Sequence, residues 1–350
     1  MIKTKKILVI CDKHSYPEHF IKLFDEKPEF ETYVLYDYNN RLLTEYSELV
    51  PDFILLDLDI RKADPIFFIK KMLSVKLVPI ITFNSITQKG RHLAIKSLEY
   101  GAVDFIEKPF KYEDYSLDEN FHRIMKLIKV EDKINLEIFR HRIPSFTSVK
   151  NYQPKLTEEE LNKKIVIIVS GKGAVYSLCY ILWNLPENFP PIIVMHRLPT
   201  GYTVILANKL NDLSKLKVKE AEHNDRISKT VVYVPPMDFH TRIINKHNYN
   251  ILCIDKGEPI NGLRPSVELM LSSAIEVYKN NIIALQLSAI HNDAIPAYKE
   301  LYKIGGKIII ESPNTAVFPN IIEEIKENGI YNFEIPLQEI PQKLIELIES

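Results

Sequence analysis

Glycine is scarce in this chain: 10 of 350 residues, well under the roughly 7% of average usage. The stretch "KIVIIVSGKGAVYS" at 164–177 shows what that scarcity excludes. No glycine lies in the apolar run before Gly171, and Gly173 rather than Ser or Thr follows Lys172, so the loop is not a P-loop. The third glycine of a dinucleotide fingerprint is also missing after "GKG". Cysteine is almost as rare. Cys11, Cys179 and Cys253 lie far apart with no C-x-x-C spacing, which argues against a disulfide scaffold and for reduced thiols. Charge of one sign is missing too, since a formal net charge of −1 gives no global field for nucleic acid or a membrane surface. The apolar run in "MIKTKKILVICDK" is far too short for a signal peptide or a membrane span, and no later segment comes closer. A soluble cytoplasmic protein that neither enters the membrane nor binds nucleic acid is expected.

What is present is alternation. "KKILVIC", "ETYVLYD", "DFILLDLD", "LVPIITF" and "AVDFIEKPF" read as strands, with helical segments between them and a last helix near 117–139. Residues 140–163, polar and carrying Pro144 and Pro154, read as a linker. A second series follows from Ile165: "IVIIV", "PPIIVMH", "TVVYVPP", "NILCID", "IIALQLSAI" and "KIIIES", again separated by helical patterns. The expected fold is α/β, with two doubly wound parallel-sheet domains. Residues 1–125 form the first, 126–163 a helix and linker, and 164–350 the second. In such sheets sites form at the carboxyl ends of strands, where strand order reverses.

Three residues of the first domain stand at strand ends: Asp12, Asp57 and Lys108. Two carboxylates facing a lysine suit Mg²⁺, which prefers carboxylate and phosphate oxygens, and a carboxylate there can accept a phosphoryl group. Either acid alone would equally serve as a helix cap. Residues 5 to about 125 resemble the response-regulator receiver family, on "PDFILLDLD" and "LEYGAVDFIEKPF". The resemblance implies Asp57 as phosphoacceptor, Mg²⁺ held by Asp12 and Asp57, and Lys108 beside the phosphate, followed by a cis bond to Pro109. It places the switch position on Asn84, with Thr82 and Ser85 beside it. The pattern departs at Cys11, which stands where the family carries a second acid.

In the second domain Ser170, His196 and Asp293 also fall at strand ends. Serine attack with a histidine base and an orienting aspartate is one reading; a turn serine and a packing histidine is the other. The chain from about 164 resembles the catalytic domain of the chemotaxis protein-glutamate methylesterase. "HRLPTGYT" is similar to its H-M-P-P-G-F-T with one extra residue, and "VVYVPPMDFH" to its Y-I-A-P-G-D-x-H. "GLRPSVELM" is similar to its R-P-S-V-D, and "HNDAIPAYKEL" to its N-D-G segment. The family's G-A-S-T-G-G is I-V-S-G-K-G here: Ser170 matches if the following loop gains a residue, and otherwise Gly171 takes the nucleophile position. Ala289, His291 and Ala294 replace glycines of the family's T-G-M-G-N-D-G.

The resemblance implies a phosphorylation-regulated methylesterase and glutamine deamidase with Ser170, His196 and Asp293 as catalytic residues. Its oxyanion would be held by N–H groups near 171–173 and 290–291. Its partners would be methyl-accepting chemotaxis receptors as substrate and the chemotaxis histidine kinase as phosphodonor, with no cofactor in the esterase domain. Arg264 and His240 stay outside the catalytic set, because "RPS" also reads as a helix start. The competing reading is a degenerate homologue that binds kinase or receptors in response to phosphate. Hydrogen-bond reach between Ser170 and His196 separates the two.

Overall fold

The computed structural model describes residues 4–36, 42–60, 64–109, 114–129, 133–141, 155–290 and 293–350. The chain divides into two compact units, Met1–Arg142 and Ile143–Ser350. Most of the expected linker, with Pro144 and Pro154, lies outside the described residues.

In the first unit, β1 (Lys5–Ile10), β2 (Phe30–Leu35), β3 (Phe53–Asp57), β4 (Ile80–Asn84) and β5 (Asp104–Glu107) form one parallel sheet in the order β2-β1-β3-β4-β5. Its helices are α1 (His19–Asp25), α2 (Leu42–Leu49), α3 (Pro65–Val75), α4 (Gln88–Glu99), α5 (Asp114–Lys129) and α6 (Ile138–His141). Every residue of "FILLD" in β3 and "IITFN" in β4 is buried, as central parallel strands covered on both faces require. Asp64 starts α3 by accepting from the Ile66 and Phe67 N–H groups, with Pro65 at the first helical position. The long last helix expected near 117–139 is instead α5 ending at Lys129, with a single further turn in α6. The bond before Pro109 is also not as expected. Arg264–Pro265 is the one cis peptide among the described residues.

The second unit contains α7 (Glu158–Lys163), β6 (Ile165–Ser170), α8 (Val175–Asn184), β7 (Ile192–His196), α9 (Thr203–Leu213), β8 (Lys217–Glu220) and β9 (Val231–Val234). It continues through β10 (His240–Lys246), β11 (Tyr249–Asp255), α10 (Val267–Tyr278), β12 (Ile282–Gln286), α11 (Ile295–Lys303), β13 (Lys307–Glu311), α12 (Asn320–Glu327), β14 (Phe333–Ile335) and α13 (Ile340–Glu349). Seven of its strands make a parallel sheet in the order β14-β13-β12-β6-β7-β9-β8. The sheet winds outward from β6 in both directions, so strand order reverses at β6. The site is expected at the carboxyl ends of β6 and its two neighbours.

"NILCID" does not join this sheet: β11 pairs antiparallel with β10 as a separate hairpin. Two strands of the sheet went unread. β8 is "KVKE", a short charged edge strand, and β14 has three residues, so neither carries the apolar run that marks a central strand. The core of this unit packs Ile165, Ile167 and Val169 of β6 against Met270, Leu271 and Ala274 of α10 and Tyr298 of α11. That packing fixes the end of β6 relative to the start of α10, which matters below.

Candidate active site

At the carboxyl edge of the first sheet, Lys108 bridges two carboxylates. Its ammonium is ion-paired with Asp57 Oδ1 and lies 2.8 Å from Asp59 Oδ2. Asp57 also accepts from the Asp59 N–H at 2.9 Å. Burial pushes the Asp57 carboxyl up, against the pull of the lysine. For Lys108 burial acts downward, but the two aspartates prevail and hold the ammonium above its ordinary range. Ser85 donates to Asp59 Oδ1 at 3.0 Å, while Asn84, at the expected switch position, donates its amide to the Ser85 carbonyl. Thr82 is buried against Ser97 at 3.0 Å. Asp59 was not singled out in the sequence, although its place two residues after Asp57 on a strand end was a signal.

Asp12 is partly exposed just beyond β1, and Cys11 is fully buried. Burial raises the Cys11 thiol to about 11, so it stays protonated and supplies no charge to a hard cation. Among the described residues no group of three or more His, Cys, Asp or Glu side chains is placed to hold a metal. Asp57, buried at the strand end, is a carboxylate of the kind Mg²⁺ takes, since one or two of them usually hold it with water and phosphate oxygens completing the shell.

In the second unit Ser170 closes β6 and His196 closes β7, and the two are register partners across the parallel pair. Ser170 Oγ lies 2.9 Å from His196 Nδ1 and 3.4 Å from the Met195 carbonyl. Both side chains are almost wholly enclosed, at 5% and 3% exposure. Burial lowers His196 to about 4, which makes it a neutral imidazole able to accept the serine proton at physiological pH. Gly171, the competing candidate for the nucleophile position, has no side chain to offer. It sits where an added Cβ would meet Ala289 Cβ at 2.9 Å.

Asp293 lies in the same region but departs from the expected arrangement, because it makes no hydrogen bond to His196. It accepts from the Val267 N–H at 3.0 Å and from the Ser266 hydroxyl, and it pairs with Arg197 at 3.0 Å. The cause is the start of α10. Ser266 caps that helix by accepting from the Leu269 N–H, and a carboxylate beside a helix N-terminus is favoured. The "RPS" stretch is thus a helix start, with Ser266 as the cap and Pro265 one residue before it. His240 braces the same corner, accepting from the Ser266 N–H at 3.3 Å and donating to the Glu258 carbonyl at 2.8 Å. Arg264 donates to the Gly257 carbonyl.

The loop after β6 is fastened to the loop after β12. The Gly171 N–H is occupied by the Ser288 carbonyl at 2.9 Å, so it is not an oxyanion donor as expected. Ser288 Oγ donates to the Lys172 carbonyl and accepts from the Phe318 N–H, both at 2.9 Å. The fully buried Glu311 accepts the Ser288 N–H at 3.1 Å and the Ser177 hydroxyl at 3.4 Å. Gly173 has φ +81°, a conformation open to glycine, and its α-carbon faces Val317 and Ser288 closely. Ala289 and Ala294, which replace family glycines, are not among the residues with positive φ and carry no strain of that kind. His291 lies outside the described residues. Arg197, Ser288 and Glu311 escaped sequence reasoning, and Ser266 was read only as part of a helix start. Arg197 alone had a visible signal, its position directly after His196.

A receiver-type sheet with a buried Asp–Lys pair, followed by a second parallel sheet with a Ser–His pair at its switch point, defines a response regulator with a hydrolase-type output unit. Residues 166–344 match the family described as CheB methylesterase. The protein-glutamate methylesterase/protein-glutamine glutaminase of Thermotoga maritima is 30% identical over 350 residues, covering 98% of each chain. That of Pyrococcus horikoshii is 26% identical over 348 residues, covering 98% of this chain and 94% of its own. The crystal structure of the Thermotoga maritima CheB methylesterase catalytic domain is 37% identical, with a TM-score of 0.51, over 53% of this chain and 98% of that one. The chain belongs to the CheB methylesterase family.

Proposed function

We propose that this protein is a phosphorylation-regulated protein-glutamate methylesterase and protein-glutamine deamidase of the cytoplasm, acting on chemotaxis receptors. The observation that carries the reading is the 2.9 Å contact between Ser170 Oγ and the neutral, buried His196. Ser170 attacks the ester carbonyl carbon while its proton passes to His196 Nδ1. The tetrahedral intermediate collapses by breaking the C–OCH₃ bond, and His196 returns the proton so that methanol leaves. Water then attacks the acyl-enzyme, gives its proton to His196, and releases the glutamate carboxylate and free Ser170. With a glutamine substrate the leaving group is ammonia. The developing oxyanion is held by backbone N–H groups of the loop after β6 beyond Gly171, whose own N–H is taken by the Ser288 carbonyl. Asp293 does not bond the imidazole; it ties Arg197, the residue next to His196, to the start of α10.

In the first unit Asp57 accepts the phosphoryl group from a histidine kinase and Lys108 pairs with its oxygens. Asp12 and Asp57 would hold Mg²⁺, which supplies charge neutralisation for the phosphoryl oxygens. Ser85 and Asn84 stand where the added charge is sensed, and the region between the units carries the response.

Methanol release from methylated receptor membranes tests the reading. The full chain should release methanol, faster once phosphorylated, and Ser170→Ala should lose at least about a thousandfold of the rate. Undiminished release from a folded Ser170→Ala protein would overturn it.

A further inference from the structure

Arg197 makes poor use of its donors. A guanidinium carries five N–H groups in a planar fork that matches a carboxylate bidentately. Here one terminal nitrogen donates to Asp293 Oδ1 at 3.0 Å, and among the described residues the buried Nε has no hydrogen-bond partner. Leaving a buried donor unpaired is costly, more so on a charged group. The side chain retains 23% exposure while that of its partner Asp293 has 1%, so the arginine spans from the buried carboxylate to the rim of the site. It is also attached directly to His196, the base that faces Ser170. Asp293 would keep two of its hydrogen bonds, from Ser266 and Val267, if the guanidinium turned elsewhere.

We propose that Arg197 is a specificity residue that binds a carboxylate on the substrate next to the scissile ester or amide, pairing its unused fork with that anion. The preferred substrate is then a peptide in which the modified glutamyl side chain has a free acidic neighbour. This deepens the methylesterase reading and rests on it for the identity of the reacting group.

The test uses the full chain and two matched peptides, each with one glutamyl methyl ester, one flanked by aspartate and glutamate and the other by asparagine and glutamine. The native protein should favour the acidic peptide by about tenfold or more in kcat/KM, mostly through KM, as expected for a charge-assisted hydrogen bond. In Arg197→Met the ratio should collapse to about one, and Arg197→Lys should restore part of it. Binding of both peptides to Ser170→Ala, followed by fluorescence anisotropy, is measured in parallel. Equal affinity for the two peptides, or a preference that survives in Arg197→Met, overturns the proposal whatever the rates. An acidic preference in binding that depends on Arg197, without hydrolysis of either peptide by the native protein, would uphold the anion site and sink the esterase reading instead.

Discussion

Ser170 and His196 are register partners at the carboxyl ends of two adjacent parallel strands, and their side chains meet at 2.9 Å. The contact is therefore set by sheet pairing, not by loop conformation. Residues opposite each other in a sheet project to the same face, so fixing β6 against β7 brings hydroxyl and imidazole together without a flexible element. Loops enter only as the walls of the site: the Gly171–Gly173 turn, the Ser288–Ile290 segment and the cap of α10.

Burial of His196 gives the first prediction a definite sign. Its pKa is lowered from 6.5 to about 4 in the folded protein. Above pH 6.5 both folded and unfolded chains hold it neutral, and its contribution to stability is fully present. Between 6.5 and 4 the unfolded chain binds a proton that the folded chain refuses, so stability falls as pH falls, by on the order of 3 kcal/mol in total. Denaturant unfolding from pH 7 to 4, compared with His196→Gln, isolates this contribution. In the same range kcat/KM should lack the inflection near 6.5 that an ordinary histidine base produces. An inflection there would show that His196 is solvated in the working enzyme.

Gly171 and Ala289 should behave as a coupled pair. An added Cβ at 171 would approach Ala289 Cβ at 2.9 Å, closer than such atoms come. Gly171→Ala is therefore expected to cost about 1–3 kcal/mol by overpacking and to slow hydrolysis as the loop shifts. Ala289→Gly should recover most of that loss in the double variant. Thermal unfolding of the four proteins gives the coupling energy, and simple additivity would disprove the contact.

Much of this was legible in the sequence because buried parallel strands are near-continuous apolar runs, and their ends mark where polar residues do chemistry. Asp57, Lys108, Ser170 and His196 were singled out that way, and each lies at or just after the end of a strand. Asp293 was found as a residue, but its partners were not. Whether a carboxylate turns to a histidine or to a helix N-terminus depends on how α10 packs on β6, which no local pattern encodes. Ser288 and Glu311 were missed for the same reason, since a buried polar network joins residues far apart in sequence. Ala289 and Ala294 taught the opposite lesson: loss of a glycine brings backbone strain only where φ is positive, and here it is not.

Asp57→Asn should abolish phosphorylation by a small acyl phosphate donor, read on a phosphate-affinity gel, without unfolding the first unit. The asparagine preserves the shape of the buried side chain, and Lys108 keeps its 2.8 Å ion pair with Asp59. Asp59→Asn leaves the acceptor in place and should still be phosphorylated. Labelling of Asp57→Asn at the native level would place the acceptor elsewhere.

Ser288 offers the sharpest test of the loop after β6, where the proposed oxyanion donors lie. Its hydroxyl does two things at once, donating to the Lys172 carbonyl and accepting from the Phe318 N–H. Ser288→Ala removes both and leaves the Phe318 amide without its acceptor in a buried position, at an expected cost of about 1–3 kcal/mol. The Gly171–Gly173 turn then loses its side-chain tie and keeps only that from the Gly171 N–H to the residue 288 carbonyl, and displacement by about an ångström is enough for a hundredfold loss of rate. Ser177→Ala severs only a 3.4 Å contact to Glu311, and should lower stability and kcat far less. If the two variants lost activity equally, the turn would be held by the body of α8, and Ser288 would merely fill space beside it.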